Sequence, residues 1–441
     1  MKLLSYIKSS VTLMPPRKSF RIHKPNMRFL LVLGVALLFT LAFADHHEGD
    51  HKHSNDHHDH KDGHIKNGEN QSKEHHQHYN KSMLSHKVAQ YNSKFYFDLY
   101  RQVALDHPSE NIVCSPVSVS IAFAVLSLGA KAQTHSQIID GLNFNISETS
   151  EQEIHEGFHH LLYLLNNAHS ELQLSGGNAL FISKEHKILQ TFLDEAKKFY
   201  YSEAFSTDFK NEGEAKNQIN SYVEKNTHGK IAELLDSVDQ DTIIVLINYI
   251  YFRGKWKQPF EEDWTEEGDF HVSENTTVKV PFMTRIGAYD VAFTDEATVV
   301  SIPYEGDVNA LFILPKTGKL PETEQKFNKE TILKWKKSMN RRVIWGNCYS
   351  EVVIPICQNQ EMKSLSWHFH FFKARRSLKR QDDTLYIHVV DLFLPRFKIS
   401  GTINLKETLR KMGVIDVFSN NADLSGITGD ANVKISKENL D

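Results

Sequence analysis

Histidine is concentrated near the N-terminus of this 441-residue chain, where imidazole side chains could bind metal ions. Imidazole is a common ligand of zinc, copper and nickel, and His-rich tracts are typical of metal-binding segments. We therefore predict that this tract binds Ni(II), Cu(II) or Zn(II). The alternative is a solvated tail that would bind a metal column without physiological use. The candidate ligands are His46, His47, His51, His53, His57, His58, His60, His64, His75, His76 and His78.

Cleavage after Ala44 would create a second metal-binding group at the new N-terminus. The mature chain would then begin Asp45-His46-His47, with an amine, two peptide nitrogens and an imidazole within reach of one ion. This square-planar set of nitrogens suits Cu(II) or Ni(II). We predict no cofactor that the protein requires.

A different histidine pattern, His155-Glu156-Gly157-Phe158-His159, has the H-E-x-x-H spacing of zinc proteases. In those enzymes two histidines one helical turn apart hold the metal and the glutamate activates water. We do not assign that role, because the apolar stripe of the same helix runs through Ile154 and Phe158 and no third-ligand motif follows. The sequence also has no nucleophile elbow, phosphate loop or Cys-x-x-Cys pair, so we expect no enzyme activity.

Residues 27–44 have the pattern of a secretory signal, with a basic start, a short apolar run and small residues at a cleavage site. The apolar run is too short, and too polar at its end, to cross a membrane. We therefore predict a secreted, extracellular protein with no membrane partner. Residues 1–26 precede a signal that has its own Met, so we treat them as a doubtful extension and expect translation to begin at Met27.

Other polar features agree with export. Four N-x-Ser/Thr sequons, at Asn70, Asn80, Asn145 and Asn275, lie in polar contexts that suit N-glycosylation.

The cysteines and the net charge restrict the function further. Cys114 lies in an apolar run and is expected to be an inert core residue, whereas Cys348 and Cys357 are close enough in sequence to bridge. The formal net charge of −4 gives no reason to expect nucleic acid as a partner. We expect a monomer.

The elements that would position any site begin near residue 85. Residues 45–84 have almost no apolar side chain to bury, so we predict that they are disordered. A helix follows, since its apolar residues recur every four positions, and a second apolar stripe further along the chain predicts the fourth helix. The two stripes are Tyr91, Phe95, Leu99 and Val103, and Ile154, Phe158, Leu161, Leu162 and Leu165.

Two helices between them are predicted from their ends. Ser115 as N-cap and Pro116 at the first helical position begin the second helix, which stops at Gly129. Thr134 and Gln137 have the spacing of a capping box for the third helix, which ends at Gly141.

A long apolar run over residues 242–260, TIIVLINYIYFRGKWKQPF, predicts a buried strand at the centre of a large sheet. Residues 243–247 are apolar on both faces, and the backbone can turn at residues 253–255. Asn248 interrupts the run. It is either a core amide bonded to neighbouring backbone or a hydrogen-bonded latch between strands.

The remaining elements complete an α+β domain. We predict a helix over residues 215–235 and strands over residues 178–182, 277–283, 298–304, 310–314 and 393–399.

Several segments together are characteristic of one family. Residues 111–145 read NIVCSPVSVSIAFAVLSLGAKAQTHSQIIDGLNFN, and further signature segments follow at 177–181, 246–260, 312–315 and 418–427. With these segments the chain resembles the serpins, nearest to their alpha-1-antitrypsin-like branch, over residues 85–342 and 386–436. The His-rich leader is similar to that of histidine-rich amphibian serpins.

The resemblance implies a serpin fold with three β-sheets and eight or nine helices. It also implies a serine protease as partner: the protease cuts an exposed reactive loop, and the loop then inserts as a strand and traps the acyl-enzyme. Ser115, Pro116, Ser118 and Asn248 match the region that lets the sheet open, which favours the latch interpretation of Asn248.

Two departures from the family pattern affect this expectation. Residues 343–384 do not match, and are either retained intron sequence or a surface loop. The chain ends at Asp441, close to where the family's next strand, reactive loop and last strands begin. We therefore expect a C-terminally incomplete domain over residues 85–441 without a reactive-site bond, which would not inhibit as written. The alternative function is a non-inhibitory extracellular carrier of metal or of an apolar hormone.

Overall fold

The structure is a computed structural model, and its described part contains ten α-helices and thirteen strands. The residues described are 6–12, 30–32, 68–108, 110–167, 172–273, 276–287, 289–306, 308–339, 372–375, 389–419 and 421–429. Within these ranges, no helix combines the length and the apolar character needed to cross a membrane.

The helices include the four that the sequence predicts before residue 170, and their total of ten exceeds the eight or nine implied by the resemblance. Three of the ten are only four to seven residues long. The helices are α1 (Gly68–Asp106), α2 (Pro116–Gly129), α3 (Ala132–Gly141), α4 (Glu151–Asn166), α5 (Gln190–Tyr200), α6 (Glu212–Asn226), α7 (Leu320–Gln325), α8 (Lys329–Ser338), α9 (Leu405–Lys411) and α10 (Ser425–Thr428).

The strands form three sheets of three or four strands and one two-stranded pair, in the orders β4-β3-β5, β2-β10-β9-β8, β11-β12-β7-β6 and β1-β13. The strand predicted over residues 393–399 is divided between β12 and β13. The strands are β1 (Tyr6–Thr12), β2 (Leu30–Val32), β3 (Leu172–Ser183), β4 (Glu203–Thr207), β5 (Ile244–Gly254), β6 (Thr265–Ser273), β7 (Thr276–Gly287), β8 (Asp290–Phe293), β9 (Ala297–Pro303), β10 (Asn309–Pro315), β11 (Phe372–Arg375), β12 (Val389–Pro395) and β13 (Lys398–Asn404).

Helix α1 is longer than its apolar stripe. It begins at Gly68, so residues 68–84, which we expected to lack regular structure, are helical. The stripe itself is confirmed, because Phe95, Leu99 and Val103 are fully buried. Extending a helix that tertiary packing already holds costs far less than nucleating one, and this segment contains several good helix formers.

Helix α2 begins as predicted, whereas the capping box predicted for α3 is wrong. Ser115 caps α2 through a hydrogen bond from the Ser118 backbone N–H. In α3 the N-cap is Lys131 and makes no side-chain cap bond. Thr134 Oγ1 instead accepts from Asp423 N at 2.9 Å, and Gln137 Oε1 accepts from the backbone N–H groups of residues 415 and 416 at 2.8 and 2.7 Å. Thr134 and Gln137 therefore bind residues 415–423 to α3.

The helix predicted over residues 215–235 ends early. Helix α6 stops at Asn226, because His228 and Gly229 adopt left-handed backbone angles, φ +52° and +73°. Asn220 of α6 then holds the following turn: its Oδ1 accepts from Leu234 N and Leu235 N, and its Nδ2 donates to Leu235 O.

Strand β5 occupies residues 244–254 of the long apolar run. Residues 243–247 are all buried, as predicted, and the strand ends at Gly254. Alternate residues pack into two different cores: Ile244 and Leu246 join the core formed with α2 and α4, and Val245 and Ile247 join the core formed with α6. The expected central position is not found, since in the described part β5 pairs only with β3 and forms the sheet edge.

Helix α4 lies between α1 and the β3 sheet, and Gly157 allows the close approach of the two helices. A Cβ at Gly157 would lie 2.8 Å from Leu84 O and 2.5 Å from Val88 Cγ2, both on α1. Because part of this contact is backbone, a side chain cannot be accommodated without moving one helix.

We predict that Gly157→Ala lowers the free energy of unfolding by about 1–2 kcal/mol, because overpacking outweighs the better helix propensity of Ala. Urea unfolding followed by circular dichroism measures this. Gly213→Ala in the first turn of α6 is the control, since its nearest neighbour would be 4.0 Å away. It should be neutral or slightly stabilising, and an equal loss in both variants would contradict the interpretation.

Candidate functional site

Asn248 lies opposite Asn178 in the antiparallel β3–β5 pair. Asn248 Nδ2 donates to Asn178 Oδ1 at 2.8 Å and to the Gly177 carbonyl at 3.5 Å. Asn178 is 1 % exposed, and its own Nδ2 donates to the Tyr200 carbonyl at 2.8 Å. A side-chain hydrogen bond therefore joins the two strands, and a second one joins β3 to the end of α5.

The oxygen of the Asn248 side-chain amide differs from the nitrogen in its hydrogen bonding. Its Oδ1 is buried and accepts no hydrogen bond from the described residues. A buried acceptor without a partner costs about 1–3 kcal/mol, which folded proteins rarely accept. The Asn248 amide is thus half satisfied at the edge strand of its sheet.

Ser115, Pro116 and Ser118 form the first turn of α2 and its cap. Ser118 Oγ lies 3.0 Å from Ser115 Oγ, which also accepts from Ser118 N at 3.4 Å. Helix α2 contacts β5, and Asn248 is on the same β5 face as Ile244 and Leu246, which pack in the α2 core. The serines and Asn248 therefore belong to the same layer, although no hydrogen bond joins them among the described residues.

His155 of α4 is buried beside the end of α5. Its Nδ1 is 2.5 Å from the Tyr200 hydroxyl, and its ring lies 5.5 Å from the Phe199 ring, centroid to centroid. Burial lowers the pKa of His155 to about 4, with a smaller contribution from the nearby His135. His155 is consequently neutral at physiological pH.

His159, the second histidine of the H-E-x-x-H pattern, is only half-buried. Its Nε2 is 3.1 Å from the Tyr201 hydroxyl, and the two rings stack at 4.7 Å. The two histidines thus bond to two consecutive tyrosines rather than to a shared group. Among the described residues, no cluster of three or more His, Cys, Asp or Glu could hold a metal ion.

The other candidate residues are only partly described. His46 to His64 of the tract lie outside the described residues, while His75, His76 and His78 lie on the backbone of α1. Their metal binding stays a prediction.

Of the sequons, Asn145 is exposed, and its Oδ1 accepts from Ser147 N at 3.0 Å, so its side chain lies on an accessible turn. Asn70 and Asn80 lie on α1, and Asn275 is outside the described residues, as are Cys348 and Cys357. Glycosylation stays a prediction at all four positions.

Cys114 is half-buried against the core around α2. Burial raises the pKa of its thiol to about 12, so the thiol stays protonated at neutral pH and is a poor nucleophile.

Sequence reasoning missed Asn178, Tyr200 and His155 as partners of the site. Asn178 offered one signal, since it is a polar residue at the start of an apolar strand, as Asn248 is within one. Tyr200 offered none, because its contribution to Asn178 is a backbone carbonyl.

Comparison with known proteins identifies related chains. A family model described as Serpin (serine protease inhibitor) matches residues 90–367 and 345–438. An alpha-1-antitrypsin-like protein, GS55-MS, of Ictidomys tridecemlineatus is 42% identical over 355 residues, which are 80% of this chain and 75% of that protein. The alpha-1-antiproteinase of Ovis aries is 42% identical over 354 residues, 80% of this chain and 74% of that protein.

Solved structures give the same result for the fold. The reactive-loop-cleaved form of human thyroxine-binding globulin has a TM-score of 0.66 at 36% identity, covering 79% of this chain and 90% of that chain. Cleaved kallistatin complexed with heparin has a TM-score of 0.66 at 35% identity, covering 78% and 90%.

We predict that His155 makes the fold less stable in acid. The unfolded chain binds a proton at this residue near pH 6.5, whereas the folded chain resists until about pH 4, so stability falls as the pH drops through this interval. With these two values, the loss between pH 7.5 and pH 5 is about 2 kcal/mol.

Urea unfolding at pH 7.5 and pH 5 tests this with the wild type and His155→Phe. The variant should lose about 2 kcal/mol less than the wild type over the same interval, because Phe has no group that takes up a proton. Removing His155 also leaves the Tyr200 hydroxyl without its partner, but this lowers stability equally at both pH values and does not change the difference. Identical losses in the two proteins would show that His155 is not the titrating group.

Proposed function

Because the chain belongs to the serpin family, we propose that the protein is a secreted inhibitor of a serine protease. The mechanism would be the family's: cleavage of a reactive loop and its insertion as a strand beside β5. The observation that supports this most is Asn248, whose buried Oδ1 has no partner among the described residues and lies on β5, an edge strand within the same part of the chain. A strand added beside β5 could supply the donor that this oxygen needs.

The latch interpretation of Asn248 follows from the same geometry. The nitrogen of its amide holds β5 to β3, and the oxygen, which has no partner among the described residues, would be the atom that bonds an added strand. Ser115, Pro116 and Ser118 would act in the same layer, by fixing the start of the helix over which the strands slide.

We expect the protein, expressed from its full-length transcript, to form a covalent complex with at least one serine protease. A panel of trypsin-like, chymotrypsin-like and elastase-like enzymes, resolved on denaturing gels, measures this together with residual protease activity. A protein that unfolds cooperatively on heating but forms no complex, and is either untouched or simply digested, would contradict inhibition.

Asn248→Ala gives the residue-level version of the same test. It should divert the protein from complex formation towards simple cleavage. The free energy of unfolding should change by only about 1 kcal/mol, because the donor lost to Asn178 Oδ1 is offset by removal of the unpaired Asn248 Oδ1. Asn167→Ala is the matched control, since Asn167 is exposed and its side chain bonds only its own helix end. Its effect on stability should stay within about 0.5 kcal/mol.

We also propose that the His-rich tract binds Ni(II), Cu(II) or Zn(II), which would add a carrier function to the inhibitor. The supporting observation is the density of imidazoles, eleven between residues 46 and 78. Binding of an apolar hormone is the competing carrier function, suggested by the likeness to thyroxine-binding globulin. A protein without protease complexes that binds such a hormone would favour this alternative.

We expect removal of residues 45–79 to weaken binding of Ni(II) and Cu(II) at least tenfold, as measured by isothermal titration calorimetry. Because imidazole must be neutral to bind, the affinity should also fall between pH 7.5 and pH 5.5. Unchanged affinity after the deletion would contradict metal binding by the tract.

A further inference from the structure

We propose that His155 and Tyr200 are positioning residues for Asn248, and that they act on it through Asn178. Four residues from α4, α5, β3 and β5 form a continuous path, in which Tyr200 takes part with both its hydroxyl and its backbone carbonyl, although the four are far apart in sequence. The functional meaning of this path rests on the proposed inhibition, whereas the path itself is a feature of the fold. Its links are His155 Nδ1 to the Tyr200 hydroxyl, the Tyr200 carbonyl to Asn178 Nδ2, and Asn178 Oδ1 to Asn248 Nδ2.

The first link fixes the end of α5. Tyr200 is fully buried, and its ring lies against His155 and Phe158 of α4, with centroids 5.8 and 5.9 Å away. Its hydroxyl, 2.5 Å from His155 Nδ1, has its hydrogen bond inside the protein. Packing and this bond together hold the last residue of α5, after which Tyr201 turns into the left-handed conformation with φ +52°.

The second link uses a group that the helix leaves free. The last four carbonyls of a helix have no partner inside it, and Tyr200 contributes one of them. This carbonyl accepts from Asn178 Nδ2 at 2.8 Å, in a site where both residues are almost completely buried. The position of the α5 end therefore sets the position of the Asn178 amide.

The third link follows from the chemistry of the amide group. A carbonyl can only accept, so Asn178 must turn its NH₂ group towards Tyr200 and its oxygen towards β5. Asn178 Oδ1 can only accept in turn, so Asn248 must present its own NH₂ group. The direction of the path thus determines that Asn248 Oδ1, an acceptor, is the atom left for a further partner.

A second histidine on α4 provides a matched comparison. His160 is buried like His155, and its Nδ1 is 3.0 Å from the Ser85 hydroxyl. Ser85 belongs to α1, and its hydroxyl also donates to the Ser82 carbonyl of the same helix, so this pair joins α4 to α1. If every buried histidine–hydroxyl pair on α4 influenced Asn248, removing the hydroxyl of either pair would have the same effect on it.

The experiment is a pair of double-mutant cycles in the full chain. Tyr200→Phe removes the hydroxyl and keeps both the ring and the carbonyl, and it is combined with Asn248→Ala. Ser85→Ala combined with Asn248→Ala is the control cycle. We expect the unfolding equilibrium constant of the first double variant to depart from the product of the single effects by at least about fivefold. The control cycle should stay within about twofold, as for independent sites.

Amide hydrogen exchange measures the stability of individual backbone hydrogen bonds, so it distinguishes a local change from a general loss of stability. After correction for global stability, Tyr200→Phe should speed exchange of the β3–β5 amides around Asn178 and Asn248 about fivefold. Ser85→Ala should leave those amides unchanged. Both readouts are independent of protease inhibition, so they can succeed even if no protease complex is found.

Equal coupling in the two cycles, or unchanged exchange at β3 and β5 in Tyr200→Phe, would overturn the proposal. Tyr200→Phe is a conservative change in a packed aromatic site, so the variant is expected to fold. If it does not, His155→Gln takes its place, because the ring nitrogen is removed while α5 keeps its sequence. The same two outcomes then apply.

Discussion

The structure depends on an amide pair that joins two strands of an otherwise largely apolar sheet. Asn178 and Asn248 face each other across β3 and β5, where Ala179 and Ile247 next to them are apolar and buried. Each buried donor or acceptor of an amide that loses its partner costs free energy, and this cost exceeds the gain from having the partner. Helix α5 must therefore end where its last carbonyl can meet Asn178, and α4 must hold α5 in that position.

The sequence predicts the helices well where a stripe or an N-cap is local, and less well where a side chain is used at a distance. The stripe in α1 and the Ser115 cap of α2 are both correct, because each depends on residues within one or two turns. Thr134 and Gln137 have the spacing of a capping box, but their side-chain oxygens accept hydrogen bonds from backbone N–H groups within residues 415–423 instead. Spacing alone cannot show which of two donors an oxygen will accept.

The candidate site shows the same division. Asn248 is identifiable from sequence because it is polar inside an apolar strand, and its alternatives could be stated in advance. Its partners are separated from it by up to 93 residues in the chain, and only the antiparallel register of β3 and β5 brings Asn178 opposite it. The edge position of β5 is likewise a matter of pairing, since residues 243–247 are buried by helices on both faces and read as a central strand.

The H-E-x-x-H pattern shows why burial decides what a histidine does. Its two histidines are four residues apart on α4, yet one faces the core and the other lies at its margin. A metal ligand must keep a ring nitrogen free and exposed to an ion, but His155 is enclosed by Phe199 and Tyr200. Burial favours the neutral ring, and a neutral ring can share a proton with the Tyr200 hydroxyl without placing a charge in the core. The residue that most resembles a zinc ligand in sequence is thereby suited to hold a helix end, and through it the amide pair of the sheet.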